Sequence, residues 1–169
     1  MKEPEVKDGV TLPDPPAAGK VITQDGAGPF RKGMTVEEIR KLPNLTASPT
    51  KRALAGKIVP TLTLMRWGRT LAMAELEGDH VQRVVVVAPD YATQKGARVG
   101  DAARGLKLLY GEGRVYRDEG TVCASFAKAP GLGFCFRVPK SFQDAPDLTW
   151  SKLLEKNPRV VGIIVGART

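Results

Sequence analysis

A ten-residue pattern occurs twice in this chain, and an internal repeat narrows the choice of small folds more than composition does. Gly33-Met34-Thr35-Val36-Glu37-Glu38-Ile39-Arg40-Lys41-Leu42 is echoed by Gly100-Asp101-Ala102-Ala103-Arg104-Gly105-Leu106-Lys107-Leu108-Leu109. The glycine and two aliphatics, Ile39 and Leu42 against Leu106 and Leu109, are in register. Each copy is followed by strand-like segments and no second helix. A helix-plus-strands unit used twice predicts an α+β fold of tandem units, with one continuous antiparallel sheet and the helices on one of its faces. The other face is then free for a partner. The competing reading is a chance likeness between two short apolar motifs.

The local signals support the unit. Thr35 and Glu38 have capping-box spacing and Pro43 stops the chain, so a short helix is predicted over 35–42. Residues 44–57 read either as a second short helix opened by Ser48-Pro49 or as loop. From Val59 the pattern becomes strand-like, with a two-residue turn expected at Gly68-Arg69, another at Glu77-Gly78-Asp79, and a buried strand carrying four consecutive valines, Val84 to Val87. That makes a three-stranded meander. In the second copy Asp101 is the expected N-cap of a helix ending at Gly111. A hairpin over 121–138, a short helix from Trp150 to Glu155 and a final strand from Val160 to Val165 follow.

The two cysteines lie within that hairpin. If it is centred on Ala129, Cys123 stands directly opposite Cys135. The period of two then puts Val122, Ala124, Phe126, Phe134 and Phe136 on one face and the cysteines, Ser125 and Arg137 on the other. Opposed residues are close enough for a disulfide after modest adjustment, which favours an oxidising compartment. The alternative is a pair of buried free thiols in a cytosolic protein.

At 169 residues and 42% hydrophobic content the chain suits one ordinary domain, or two small halves sharing a core. The expected organisation is a flexible Pro-rich leader over 1–20, then one α+β domain over 21–169 built from halves at about 21–90 and 91–169. The longest apolar run, Val84 to Pro89, is far short of the ~20 residues a membrane helix needs. No apolar stretch follows Met1, so no signal peptide is visible.

Most catalytic chemistry lacks its residues. His80 is the only histidine, which leaves Asp79–His80 as a thin dyad candidate and no basis for a histidine-pair metal site. Gly28-Pro29-Phe30-Arg31-Lys32-Gly33 has the glycines of a phosphate loop, but Met34 follows where Lys and Ser or Thr would be needed. Asn44-Leu45-Thr46 is a formal glycosylation sequon. No cofactor, metal or catalytic residue is expected. Charge remains: the chain carries a net +8, and residues 31–69 hold nine basic side chains against Glu37 and Glu38 alone, a net +7. That segment either faces an anionic membrane or acidic partner, or simply keeps the protein soluble. The aromatic interleaving and basic helix stripe of a specific nucleic-acid binder are missing.

Ile22 to Thr35 resembles the glycine-spaced opening of many bacterial envelope proteins of unknown function. From Val81 onward the order of elements is similar to that of the YfeY-like outer-membrane lipoproteins, carried by Gln82-Arg83-Val84-Val85-Val86, Gly96-Ala97-Arg98-Val99-Gly100-Asp101, Leu109-Tyr110-Gly111, Cys123, Cys135, and Arg159-Val160-Val161-Gly162-Ile163-Ile164. The resemblance covers about residues 20–169 and implies a periplasmic or outer-membrane-associated lipoprotein domain with no established activity. The chain departs from it in lacking a lipobox cysteine and in its cysteine spacing. The duplicated unit also resembles β-lactamase inhibitor protein and the BamE/SmpA-type lipoproteins, which bind other proteins through a sheet face.

The expectation is thus a non-catalytic envelope protein that binds a protein partner through its sheet face, with Arg66, Trp67 and Arg69 as the anchor cluster. The rival reading of Trp67 is a core residue. The rival function is a small enzyme using Asp79, His80 or Tyr91, or a binder of anionic glycolipid or nucleic acid through residues 31–69.

Overall fold

The computed structural model describes residues 6–7, 10–11, 16–54 and 57–166. In chain order the elements are β1 (Val6–Lys7), β2 (Val10–Thr11), β3 (Val21–Thr23), β4 (Gly26–Ala27), β5 (Phe30–Arg31), α1 (Val36–Arg40), β6 (Thr46–Leu54), β7 (Lys57–Arg66), β8 (Arg69–Glu77) and β9 (His80–Val86). Then come β10 (Ala92–Thr93), α2 (Ala103–Tyr110), β11 (Gly113–Asp118), β12 (Thr121–Phe126), β13 (Leu132–Phe136), α3 (Lys140–Gln143), α4 (Trp150–Lys156) and β14 (Val160–Val165). Most of the expected 1–20 leader lies outside the described residues; within it β1 and β2 pair as an antiparallel ribbon.

The fold is α+β. An eight-stranded sheet runs in the spatial order β11-β12-β13-β14-β9-β8-β7-β6, and every pairing in it is antiparallel. Two four-strand meanders, each preceded by a helix, meet where β14 pairs with β9 through Ile163↔Val86, Ile164↔Val85 and Val165↔Val84. The expected single continuous antiparallel sheet is not the whole of the fold: a second sheet, β10-β3-β4-β5, is made of strands of two or three residues, and β10 joins β3 in parallel.

One face of the large sheet builds the main core. Val84, Val86, Ile163, Val165, Leu62, Leu64, Phe134 and Phe126 pack with Ile39 of α1, Leu106 and Tyr110 of α2, Trp150 and Leu153 of α4, and Ile22 and Phe30 of the small sheet. Two helices are set by their caps. Thr35 accepts from the Glu38 amide while Glu38 reaches back to Thr35, the predicted capping box, and Thr149 accepts from the Lys152 amide at the start of α4. At Gly28 (φ +56) an added Cβ would lie 2.6 Å from the Gly19 carbonyl oxygen and 2.8 Å from the Tyr91 ring, so the phosphate-loop-like segment is a tight turn between β4 and β5.

Four local expectations are corrected. Residues 44–57 are neither helix nor loop: β6 occupies Thr46–Leu54, and Pro49 is tolerated because β6 is an edge strand with one unpaired side. The opposite edge, β11, falls in a stretch where no strand was expected. Asp101 does not cap α2. Its backbone oxygen accepts from Val160 at 2.8 Å and its carboxylate accepts from the Arg98 amide at 3.0 Å, so the helix starts one residue later on Ala102, without a side-chain cap. The β7–β8 turn is Trp67-Gly68 rather than Gly68-Arg69, because Arg66 pairs with Arg69 across it.

Candidate functional site: the β7–β8 hairpin tip and the strand-lined face

The structure brings Arg66, Trp67 and Arg69 together at the end of a hairpin. Trp67 has φ 50 and Gly68 φ 76, the positive values that both central residues of a type I′ turn need. Asparagine, aspartate or glycine supplies that backbone easily; a bulky L-residue pays about 1–2 kcal/mol for it. The indole recovers nothing from the fold, since Trp67 is 86% exposed and is not a core residue. Arg66 and Arg69 stand directly opposite each other, an arrangement that repels. Arg69 is partly balanced by Asp90, 3.9 Å away, which also takes a 3.0 Å bond from Lys20. Burial alone would raise the Asp90 carboxyl, but Lys20, a backbone bond and the Arg69 charge hold it below the usual range. The Arg66 Nε is shielded from solvent and has no hydrogen-bond partner among the described residues.

The face of the large sheet turned away from the main core is built differently. Cys123 and Cys135 are in register and joined by a disulfide, with Cα atoms 4.0 Å apart. The predicted division of faces holds: Val122, Ala124, Phe126, Phe134 and Phe136 enter the main core, and the cysteines form a second cluster with Ile164, Val85 and Tyr116. Beside that cluster the Arg83 guanidinium donates from Nε to Glu75 at 2.6 Å, and from Nη1 and Nη2 to the two oxygens of Asp118 at 2.5 and 3.0 Å. Burial opposes the Arg83 charge, yet the bonds and charges of Asp118 and Glu75 outweigh it and raise the Arg83 pKa. Tyr116 is pushed up to about 12, by burial first and then by the Asp118 charge, with Arg83 opposing. Its hydroxyl has no hydrogen-bond partner among the described residues.

This triad reports the shape of the sheet. Asp118 is on β11 and Arg83 on β9, four strand steps apart, which is about 19 Å in a flat sheet. Their contact requires the sheet to curl around the disulfide face. Register shifts bend the sheet at Leu64/Met65 and Glu75/Leu76 outside the β9–β11 span and at Cys135/Phe136 within it, where the bend increases such twist.

The remaining sequence candidates are not assembled into a reaction centre. His80 Nδ1 lies 2.7 Å from Asp79, but both side chains are largely exposed, at 58% and 73%. Tyr91 is buried against Phe30. Among the described residues no group of three or more His, Cys, Asp or Glu is placed to hold a metal ion. Asn44 sits exposed in a turn at φ 59. Sequence reasoning missed Glu75, Asp118 and Tyr116, and used Arg83 only as part of a resemblance. Glu75 and Arg83 carried a signal, being charges set in apolar strands and, once paired, opposite each other; Asp118 carried none.

Among solved structures, the chain is similar to that of the uncharacterized protein yfeY from Escherichia coli, with a TM-score of 0.62, 15% sequence identity, and coverage of 87% of this chain and 99% of that one. The fold is YfeY-like. No protein-family profile matches the chain, and no curated protein matches it.

Proposed function

We propose that this chain is a non-catalytic protein of an oxidising bacterial envelope compartment, built from two related helix-plus-meander units in the manner of BamE and β-lactamase inhibitor protein. It binds a protein partner through its sheet face, anchored at the Arg66–Trp67–Arg69 tip. The observation that carries this is Trp67 itself: a large apolar side chain, 86% exposed, in a backbone conformation unfavourable for it, beside two opposed arginines. Local cost without local return marks a residue kept for contacts outside the chain. Tryptophan and arginine are also the side chains that dominate interface energetics. The disulfide supports the compartment, and among the described residues no helix is long and apolar enough to cross a membrane.

The test is a substitution that should improve the fold and damage the function. Trp67→Asn creates the Asn-Gly pair that type I′ turns prefer, so thermal unfolding should show a gain of up to about 1 kcal/mol. A photo-crosslinker at position 69 should give a discrete protein adduct in cells that Trp67→Asn weakens about tenfold, as loss of an interface anchor does. An adduct unchanged by Trp67→Asn, or the same pattern from a crosslinker at exposed Glu155, overturns the reading. Attachment to anionic vesicles that disappears between about 50 and 200 mM salt would assign the tip to a lipid surface instead.

A further inference from the structure

Between the small sheet, the C-terminal end of α2 at Tyr110 and the β12–β13 turn lies a cleft of about 560 Å³, a volume typical of small-molecule sites. Its rim carries three cations, Arg31, Lys95 and Lys128, against one carboxylate, Asp25. None of the three cations has an ion-pair partner among the described residues. Lys95 Nζ donates to the Leu109 carbonyl at 3.3 Å and sits 5.5 Å from the Tyr110 ring centre, so its charge is held over the cleft wall rather than trailing in solvent.

The floor supplies a second, independent observation. Thr93 Oγ1 and the Tyr110 hydroxyl are 2.6 Å apart and belong to residues only 2% and 5% exposed. Thr93 Oγ1 also accepts from the Ala97 amide at 3.0 Å. Two hydroxyls carry two hydrogens, and the contact between them uses one. Whichever oxygen donates, the other hydrogen is left without an acceptor among the described residues, at the wall of a cleft both residues line. A buried donor left unmet is costly, and an acceptor placed in the cleft would meet it.

We propose that this cleft binds a small hydroxylated anion, a phosphate or carboxylate on a sugar- or glycerol-sized skeleton. Arg31, Lys95 and Lys128 hold the anionic oxygens. The spare hydroxyl hydrogen of the Thr93–Tyr110 pair donates to a further ligand oxygen, Asp25 accepts from a ligand hydroxyl, and Ile22 and Leu132 face the carbon skeleton. The site is separate from the hairpin tip and does not depend on the reading given to it. The same chemistry is offered by a free sugar phosphate and by a phosphatidylglycerol headgroup.

Amide shifts of the full chain should be followed by NMR against inorganic phosphate, glycerol 3-phosphate, and phosphatidylglycerol vesicles. Saturable shifts centred on Thr93, Lys95 and Ala129 are expected, with glycerol 3-phosphate bound about tenfold more tightly than inorganic phosphate because it also engages the hydroxyl pair. The double substitution Lys95→Gln and Lys128→Gln, both at exposed positions, should weaken binding at least about tenfold, whereas Lys107→Gln on the solvent side of α2 should leave it unchanged. Tyr110→Phe should narrow the preference for glycerol 3-phosphate over phosphate. Saturation by the soluble probes supports a free metabolite as ligand, and saturation by vesicles alone supports a headgroup. Shifts that stay linear with all three probes, or that survive the double substitution, overturn the proposal.

Discussion

On one face of the eight-stranded sheet, three helices and a small sheet bury large apolar side chains such as Phe134, Leu106, Trp150 and Leu153; on the other, every member of the buried cluster is a strand residue. Yet Cys123, Cys135, Ile164 and Glu75 are as buried as the main core. Where a covering layer exists, nonpolar area does the closing, without need of particular pairs. Where the described residues supply none, the sheet closes on itself. The apolar area gained is then small; the Arg83–Asp118 contact spans the curl, and the disulfide pins two neighbouring strands within it.

That contrast is open to direct attack. The largest effect should come from Arg83→Ala, which leaves Glu75 and Asp118 facing each other with little solvent; urea denaturation should show a loss of about 3–5 kcal/mol. Replacing the whole triad, as Glu75→Leu with Arg83→Met and Asp118→Leu, should restore most of it, because the cost lies in uncompensated charge. A loss below about 1 kcal/mol for Arg83→Ala would show that the bulges alone set the curl.

Next comes the disulfide. It closes a short loop, with its cysteines 12 residues apart, and the double substitution Cys123→Ala, Cys135→Ala should cost about 3 kcal/mol by the chain-entropy estimate. The same unfolding measurement on reduced wild-type protein should agree. Unreduced protein in which both thiols remain alkylatable would remove the covalent link from the comparison.

The smallest effect is at Tyr116, where the direction depends on pH. Its hydroxyl has no partner among the described residues, so Tyr116→Phe should change stability by less than about 0.5 kcal/mol at pH 7. The native state keeps that proton up to about pH 12, while the unfolded chain releases it near pH 10. Between those values the native state binds more protons, so wild-type stability falls as pH rises. The substituted protein should lack that part of the fall. Parallel pH profiles for the two proteins would show that Tyr116 is not enclosed by the curl.

How far the sequence foretold this depends on which residues are asked. The capping box at Thr35, the centre of the β12–β13 hairpin at Ala129 and the split of its residues between two faces follow from spacing, and the structure has them. Within the large sheet the two strands that the spacing hides, β6 and β11, are its two edges; the two- and three-residue strands of the small sheet are too short to show any alternation. Edge strands carry charges and proline, here Lys51, Arg52 and Pro49 or Arg114, Arg117 and Asp118, and these obscure the alternation that marks an inner strand. Spacing puts the β7–β8 turn one residue late, at Gly68-Arg69, because glycine is the stronger turn signal and tryptophan is rarely found at positive φ. Asp118 could not be joined to Arg83 by any spacing rule, since their contact sums the twist of four strand steps. The open hydroxyl pair of Thr93 and Tyr110 depends in the same way on how the small sheet docks.

The position of β14 carries a consequence for how the molecule is made. It is the last described strand in chain order but stands fourth across the sheet, between β13 and β9. A chain synthesised from its N-terminus can complete one meander and then the first three strands of the other while the two remain unjoined. Throughout that interval β9 and β13 present open inner edges rich in valine and phenylalanine, the kind of edge that recruits strands from other molecules. The sheet becomes continuous only when Val160 to Val165 arrive. During that wait a neighbouring copy competes for the same slot, which makes this strand the element through which two chains would exchange parts.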